Sequence, residues 1–294
     1  MSIKVFAVIG AGQMGRGIAQ VAAETGYKVH LLDASQEQAD AGKARIAKGL
    51  TRLVTKGRLE EADRDATLER IHATANYADL GDADIVVEAA TEKLDLKQKI
   101  FASADEAMKE GAILASNTSS ISLTKLAAVT SRPEQVIGMH FMNPVPRMKL
   151  VEVIRALQTS DETFDTTMEA GRAMGKTLVS TKDVPGFIVN RLLIPFLNEA
   201  CFTLQEGLGA VDEIDEATKL GLNHPMGPFE LADLIGLDTV LFIAEVLQRE
   251  FGDDKYRPST ILRNYVAAGW LGRKSGRGFY HYDERGRKVE GNPQ

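Results

Sequence analysis

"VFAVIGAGQMGRGIAQVAAETGYKVHLLDAS", residues 5–35, is the stretch whose reading decides the fold. An apolar run from Val5 to Ile9 leads into G-x-G-x-x-G at Gly10, Gly12 and Gly15, and a helical pattern starts at once. A second apolar run, "YKVHLLD", ends on Asp33, eighteen residues after Gly15. In a strand–turn–helix unit the first glycine permits a tight turn and the second lets a pyrophosphate approach the backbone. The third lets helix and strand pack closely, and the helix N-terminus faces the phosphate charge. The stretch therefore implies a dinucleotide site, with Ala11, Gln13 and Met14 completing its loop and Asp33 accepting from the adenosine ribose hydroxyls. A carboxylate repels a 2′-phosphate, and the following "ASQEQ" holds no arginine to receive one, so NAD is expected rather than NADP.

Working outward, further strand candidates alternate with helical stretches: "ADIVVEAA", "AILASN", "VIGMHFM", "LVEVIR" and "TLVSTKD". "IVVEAA" and "AILAS" are apolar almost throughout, as strands covered on both faces are. The expected fold is α/β, a Rossmann-like, doubly wound and mostly parallel sheet. Residues 34–82, rich in Ala, Lys, Arg and Glu, read as an inserted pair of exposed helices. At "DVPGF" (183–187) the pattern turns wholly helical, so residues 1–184 are expected to form the nucleotide-binding domain and 185–294 an all-α C-terminal domain. Those later helices carry apolar residues around much of their circumference, which calls for a partner surface and suggests a homodimer. The tail "GRKSGRGFYHYDERGRKVEGNPQ" is polar and turn-rich, and its last dozen residues are expected to fray.

Composition bounds the function. A net charge of −6 without a basic block argues against nucleic acid as a partner. No apolar run approaches the length of a membrane span, and "MSIKVFAVIGAG" lacks the cleavage region of a signal peptide, so a cytoplasmic protein with no membrane partner is expected. The single cysteine, Cys201, sits in apolar "NEACFTL" and reads as a packed core thiol. His30, His72, His224 and His281 show no metal-ligand spacing, so no metal is expected.

Four polar residues fall at strand ends or in the first turn of the second domain: Ser119, His140, Glu152 and Asn190. In an open α/β sheet ligands sit at the carboxyl ends of the strands. Glu152 lies inside "KLVEVIRA", where a carboxylate is costly to bury unless something hydrogen-bonds it. His140, at the end of the preceding strand, is the candidate partner. Histidine is also the residue whose ordinary proton affinity suits a base near neutral pH. Ser119 competes with Ser120 and Ser122 as cap of the helix "SLTKLAAV", and Asn190 with an ordinary helix-surface amide.

"GAGQMGRGIAQ", "ASNTSSIS", "GMHFMNPVPRMKLVEVI", "DVPGFIVNR" and "NHPMGPFELADLIGLD" together span nearly all of the chain. In these motifs and their order it resembles the 3-hydroxyacyl-CoA dehydrogenase family, most closely its short bacterial members acting on 3-hydroxybutyryl-CoA. The resemblance implies an NAD-dependent oxidation of an acyl-CoA substrate. It implies His140 as general base, Glu152 as the acid that pairs with the imidazole, and Ser119 and Asn190 as groups that bond the substrate oxygen or orient its thioester arm. It also implies Glu92, Lys97 and Asn143 at or near the nicotinamide-side ribose, with Lys274 reaching in from the tail. Lys48, Arg52 and Lys56, spaced i, i+4, i+8, would share one helix face and meet the CoA phosphates.

Two other readings stand beside this one. A β-hydroxyacid dehydrogenase of the 6-phosphogluconate kind shares the two-domain plan but relies on a lysine in the first helix of the second domain, and "PGFIVNRLLIPFLNEACF" has none. A non-catalytic nucleotide-binding relative need not keep a base, an acid and an amide together.

Overall fold

Apolar alternation along the first strand organises everything around it. In β1 (Val5–Ile9), Phe6 and Val8 point into one core and Ala7 and Ile9 into another. A sheet covered on both faces follows directly from that period of two. The computed structural model describes residues 3–289. It separates into two compact units, divided after Phe187.

In the first unit β1 is followed by α1 (Gln13–Thr25), β2 (Lys28–Leu32), α2 (Gln36–Thr55), α3 (Glu61–Glu69), β3 (Ile71–Thr74) and β4 (Ile85–Glu88). Then come α4 (Leu94–Ala107), β5 (Ile113–Ser116), α5 (Leu123–Ala127), β6 (Val136–Phe141), β7 (Leu150–Arg155), α6 (Asp161–Ala173) and β8 (Thr177–Lys182). The sheet order is β3-β2-β1-β4-β5-β6-β7-β8, parallel except between β6 and β7. Chain order reverses between β1 and β4, the crevice where doubly wound sheets bind dinucleotides. Ile18, Ile46 and Ala170 from α1, α2 and α6 cover one face, and Phe101 and Leu126 from α4 and α5 the other.

The insertion expected as two helices is α2 and α3, but it also contains β3, which the sequence reading missed. "IHAT" is four residues long with a single large apolar side chain, and it becomes a strand by pairing with β2 (His30 opposite His72) rather than by its own pattern.

The second unit holds α7 (Val189–Gln205), α8 (Val211–Gly221), α9 (Pro228–Ile235), α10 (Leu237–Phe251) and α11 (Thr260–Ala267). Part of the polar-looking tail belongs to its core. Phe279, Tyr280 and Tyr282 are buried against these helices. The Asp233 carboxylate accepts from Phe279 N, Tyr280 N and the Tyr282 hydroxyl at 3.0, 2.9 and 3.0 Å. Asp215 accepts from Phe229 N, Glu230 N and the Tyr280 hydroxyl at 2.8, 3.0 and 2.9 Å. Burial pushes both carboxyls up, Asp233 to about 6. The fraying expected of the last dozen residues falls partly on 290–294, outside the described residues. Within 283–289, Asp283 accepts from Arg285 N and Arg287 N, each at 2.9 Å. Among the described residues no helix is long and apolar enough to cross a membrane.

Cys201 is 1% exposed, and burial pushes its thiol up to about 12. The thiolate is the reactive species, so the group should stay inert well above neutral pH. Alkylation at pH 8 is expected only once denaturant opens the helical unit. Fast labelling of the native protein would contradict the packing described.

Candidate active site

At the turn after β1, Gly10 adopts φ +105, and a Cβ there would meet Ala89 O at 2.7 Å. A Cβ on Gly15 would lie 1.7 Å from Gly10 O, so α1 packs onto its own loop only because that atom is missing. At Gly12, by contrast, nothing lies within 4 Å of the Cβ position. Gly12 is also the N-cap of α1, which has no side-chain cap and no acid in its first turn. An open backbone approach at an uncapped helix N-terminus fits a pyrophosphate. The neighbouring loop residues Ala11, Gln13 and Met14 are buried, exposed and half-buried respectively. Asp33 follows β2, and its carboxylate accepts from Ala11 N at 2.6 Å and Ala34 N at 2.7 Å. It braces the glycine loop from the end of β2.

The loops after β4 and β5 hold a second group of polar side chains. Glu92 accepts from Thr118 Oγ1 at 2.7 Å, Ser119 N at 2.8 Å and Ser119 Oγ at 3.4 Å. Ser119 does not cap α5. Ser122 does, accepting from Lys125 N, while Asp183 accepts from Ser122 Oγ, Leu123 N and Thr124 N. The Lys97 ammonium bonds both oxygens of Glu88 at 2.7 Å, with the two side chains 1% and 0% exposed. α4 carries Lys97 inward over the end of β4, and a cation buried there needs the nearest anion.

β6 and β7 bring the next pair together. Their antiparallel register sets His140 directly opposite Glu152 on the face shared with Gly138 and Ile154. His140 Nδ1 lies 2.8 Å from Glu152 Oε2. Glu152 is fully buried and His140 nearly so. A carboxylate at Nδ1 assigns the proton to that nitrogen, which leaves the Nε2 lone pair as the basic position. The Phe187 ring meets the imidazole edge-on, centroids 5.5 Å apart, from a residue at φ +47. One residue beyond His140, Phe141 N donates to Asn117 Oδ1 at 2.9 Å, tying the dyad strand to the β5–α5 loop. Asn143 accepts from Gln13 Nε2 at 2.9 Å, linking the loop after β6 to the glycine loop.

The remaining expected residues lie on other elements. Lys48 and Arg52 are exposed one turn apart on α2, and Lys56, also exposed, is its C-cap. Asn190 is the second residue of α7, and Lys274 is paired with Asp238 at 2.5 Å, both within the helical unit. Sequence reasoning missed Glu88, Asn117, Asp183 and Phe187. Glu88 stands in an apolar strand as Glu152 does, and the same burial argument would have found it. Among the described residues no group of three His, Cys, Asp or Glu could hold a metal ion.

A doubly wound sheet, an open glycine loop at its switch point and a braced acid after β2 define an NAD-dependent oxidoreductase. The family model for the 3-hydroxyacyl-CoA dehydrogenase NAD binding domain matches residues 5–184, and that for the family's C-terminal domain residues 186–282. The chain belongs to the 3-hydroxyacyl-CoA dehydrogenase family. It is 52% identical to a probable 3-hydroxybutyryl-CoA dehydrogenase of Bacillus subtilis strain 168, over 97% of this chain and 99% of the relative. It is 53% identical to a 3-hydroxybutyryl-CoA dehydrogenase of Bradyrhizobium diazoefficiens, over 95% and 96%. Among solved structures it is similar to (S)-3-hydroxybutyryl-CoA dehydrogenase from Ralstonia eutropha, with TM-score 0.93 and 53% identity over 96% of this chain and 100% of that one.

Replacing Asp33 with serine and Ala34 with arginine removes the repelling charge and supplies a phosphate partner. The preference for NAD over NADP, read as the ratio of kcat/KM values, is expected to fall by at least about tenfold, the factor that 1.4 kcal/mol represents. A wild-type preference for NADPH would contradict the reading of Asp33.

Proposed function

We propose that this enzyme oxidises (S)-3-hydroxybutyryl-CoA to the 3-ketoacyl-CoA, reversibly, with NAD as acceptor and His140 as general base. The observation that carries this reading is the buried His140–Glu152 pair at 2.8 Å. His140 Nε2 takes the proton of the 3-hydroxyl as the C3–H bond breaks and the C3=O bond forms. Bound NAD supplies the hydride acceptor, held by the Gly10–Gly15 loop and by Asp33. The anion of Glu152, hydrogen-bonded at Nδ1, stabilises the imidazolium as it forms and keeps the ring oriented. Ser119 and Asn190 bond the substrate oxygen or its thioester arm. Glu92, Lys97, Asn143 and Lys274 are assigned at or near the nicotinamide-side ribose, and the cations Lys48, Arg52 and Lys56 to the CoA phosphates.

The protein acts as a homodimer through residues 185–294. Leu208, Leu220 and Leu222 are 71%, 77% and 60% exposed. A groove of about 690 Å³ lined by Phe196, Ala200, Ile214 and Leu222 runs between α7 and α8. Exposed apolar surface of this kind supports burial against a second copy. Sedimentation should give a dimer at micromolar concentration, and a stable monomer there would end the idea.

His140→Gln keeps a polar group near the hydroxyl but removes the base. It should lower kcat by roughly two to four orders of magnitude with a smaller change in KM. Glu152→Gln should also slow oxidation strongly. The double variant should be little worse than His140→Gln alone, because an orienting acid has no catalytic role without its base. Additive losses would mean that Glu152 acts independently, and near-normal turnover in His140→Gln would refute the mechanism.

A further inference from the structure

Glu88 is the last residue of β4, fully buried, and the proposed mechanism gives it no part. Its partners are unusually complete. Oε1 accepts from Ala90 N at 2.6 Å and from Lys97 Nζ at 2.7 Å. Oε2 accepts from Lys97 Nζ and from Ser116 Oγ, both at 2.7 Å. Ser116 Oγ in turn accepts from Thr118 N at 3.1 Å. Thr118 Oγ1 then donates to Glu92, whose other oxygen accepts from Ser119 N. The bonds close into a ring that runs from Glu88 through Ser116 and Thr118 to Glu92, and back along residues 89–91.

This ring clamps the β4–α4 and β5–α5 loops together at the carboxyl edge of the sheet. The first abuts the glycine turn through Ala89 O, and the second holds the β6 strand through Asn117 and Phe141 N. A buried ion pair is a poor way to gain stability, since apolar residues of the same volume often do as well. It is a good way to hold two loops in one geometry, because each oxygen shares Lys97 and takes a second donor from a different loop, Ala90 N for one and Ser116 Oγ for the other.

We infer that Glu88, with Lys97 and Ser116, is a positioning residue that sets the Glu92–Ser119 pair relative to the His140 strand through this closed ring. Lys97 serves as the counter-ion of the clamp. The inference rests on the reading of Ser119 as a residue that bonds substrate. A displacement of about 1 Å of a group that aligns substrate can cost on the order of a hundredfold in rate.

The test compares full-length Ser116→Ala and Glu88→Gln/Lys97→Met by steady-state kinetics with NAD and (S)-3-hydroxybutyryl-CoA, alongside thermal denaturation. The double variant removes both charges and so leaves neither one unpaired. Ser116→Ala keeps the ion pair and removes one hydroxyl, so it decides the matter even where the double variant folds poorly. Met174→Ala, which thins the core on the opposite side of the sheet, is the stability control. Both ring variants are expected to lose about ten- to a hundredfold in kcat well below their Tm, with KM for the acyl-CoA little changed. Met174→Ala should lower Tm and leave kcat alone. Wild-type kcat in both ring variants, together with a lowered kcat in Ser119→Ala, would overturn the inference alone. Wild-type kcat in Ser119→Ala would overturn the site reading, and the inference with it.

Discussion

An ionised carboxylate inside a sheet covered on both faces is held against a desolvation cost of several kcal/mol unless donors surround it. This sheet contains two such groups, Glu88 and Glu152, each at 0% exposure. Each sits beside the carboxyl edge, and each is satisfied by residues of a neighbouring element: Lys97 and Ser116 for the first, His140 for the second. The requirement that both stay satisfied fixes how α4, β5, β6 and β7 end, and so fixes the shape of the edge where a ligand would meet the sheet.

The two carboxylates differ in what their partners can do. Lys97 is buried with its ammonium bonded to both oxygens of Glu88, which ties α4 to the end of β4. His140 is neutral or charged according to whether it carries one proton or two, and it keeps slight exposure. One pair is suited to hold and the other to exchange a proton. The β5–α5 loop reaches the first through Thr118 N and the Ser116 hydroxyl, and the strand of the second through Asn117.

Much of this could be read from residue order. The glycine spacing, Asp33 and the alternation of strand candidates with helices pointed to a doubly wound sheet, because local pattern and global fold agree there. Glu152 announced a partner because a lone acid among valines is improbable without one. What stayed hidden depended on pairing rather than pattern. β3 is a strand only because β2 offers it an edge. Nothing in the neighbours of Lys97 in the sequence disclosed that α4 would carry it over Glu88. In the tail, "GFYHY" sits among charged residues, and its rings turn inward onto the helical core and onto Asp215 and Asp233, more than forty positions away.

The antiparallel turn from β6 to β7 has one more implication. Side chains alternate faces along a strand, so a slip of one residue would send Glu152 to the opposite side of the sheet from His140. Val151 and Val153 resist that slip, since both are buried in the other core and would have to leave it. The alignment of the pair is therefore written into the strands and not into the eight residues that join them. Within the connecting segment, changes of residue type that spare Asn143, bonded to Gln13, and Val145, buried in the core, should therefore leave the dyad aligned.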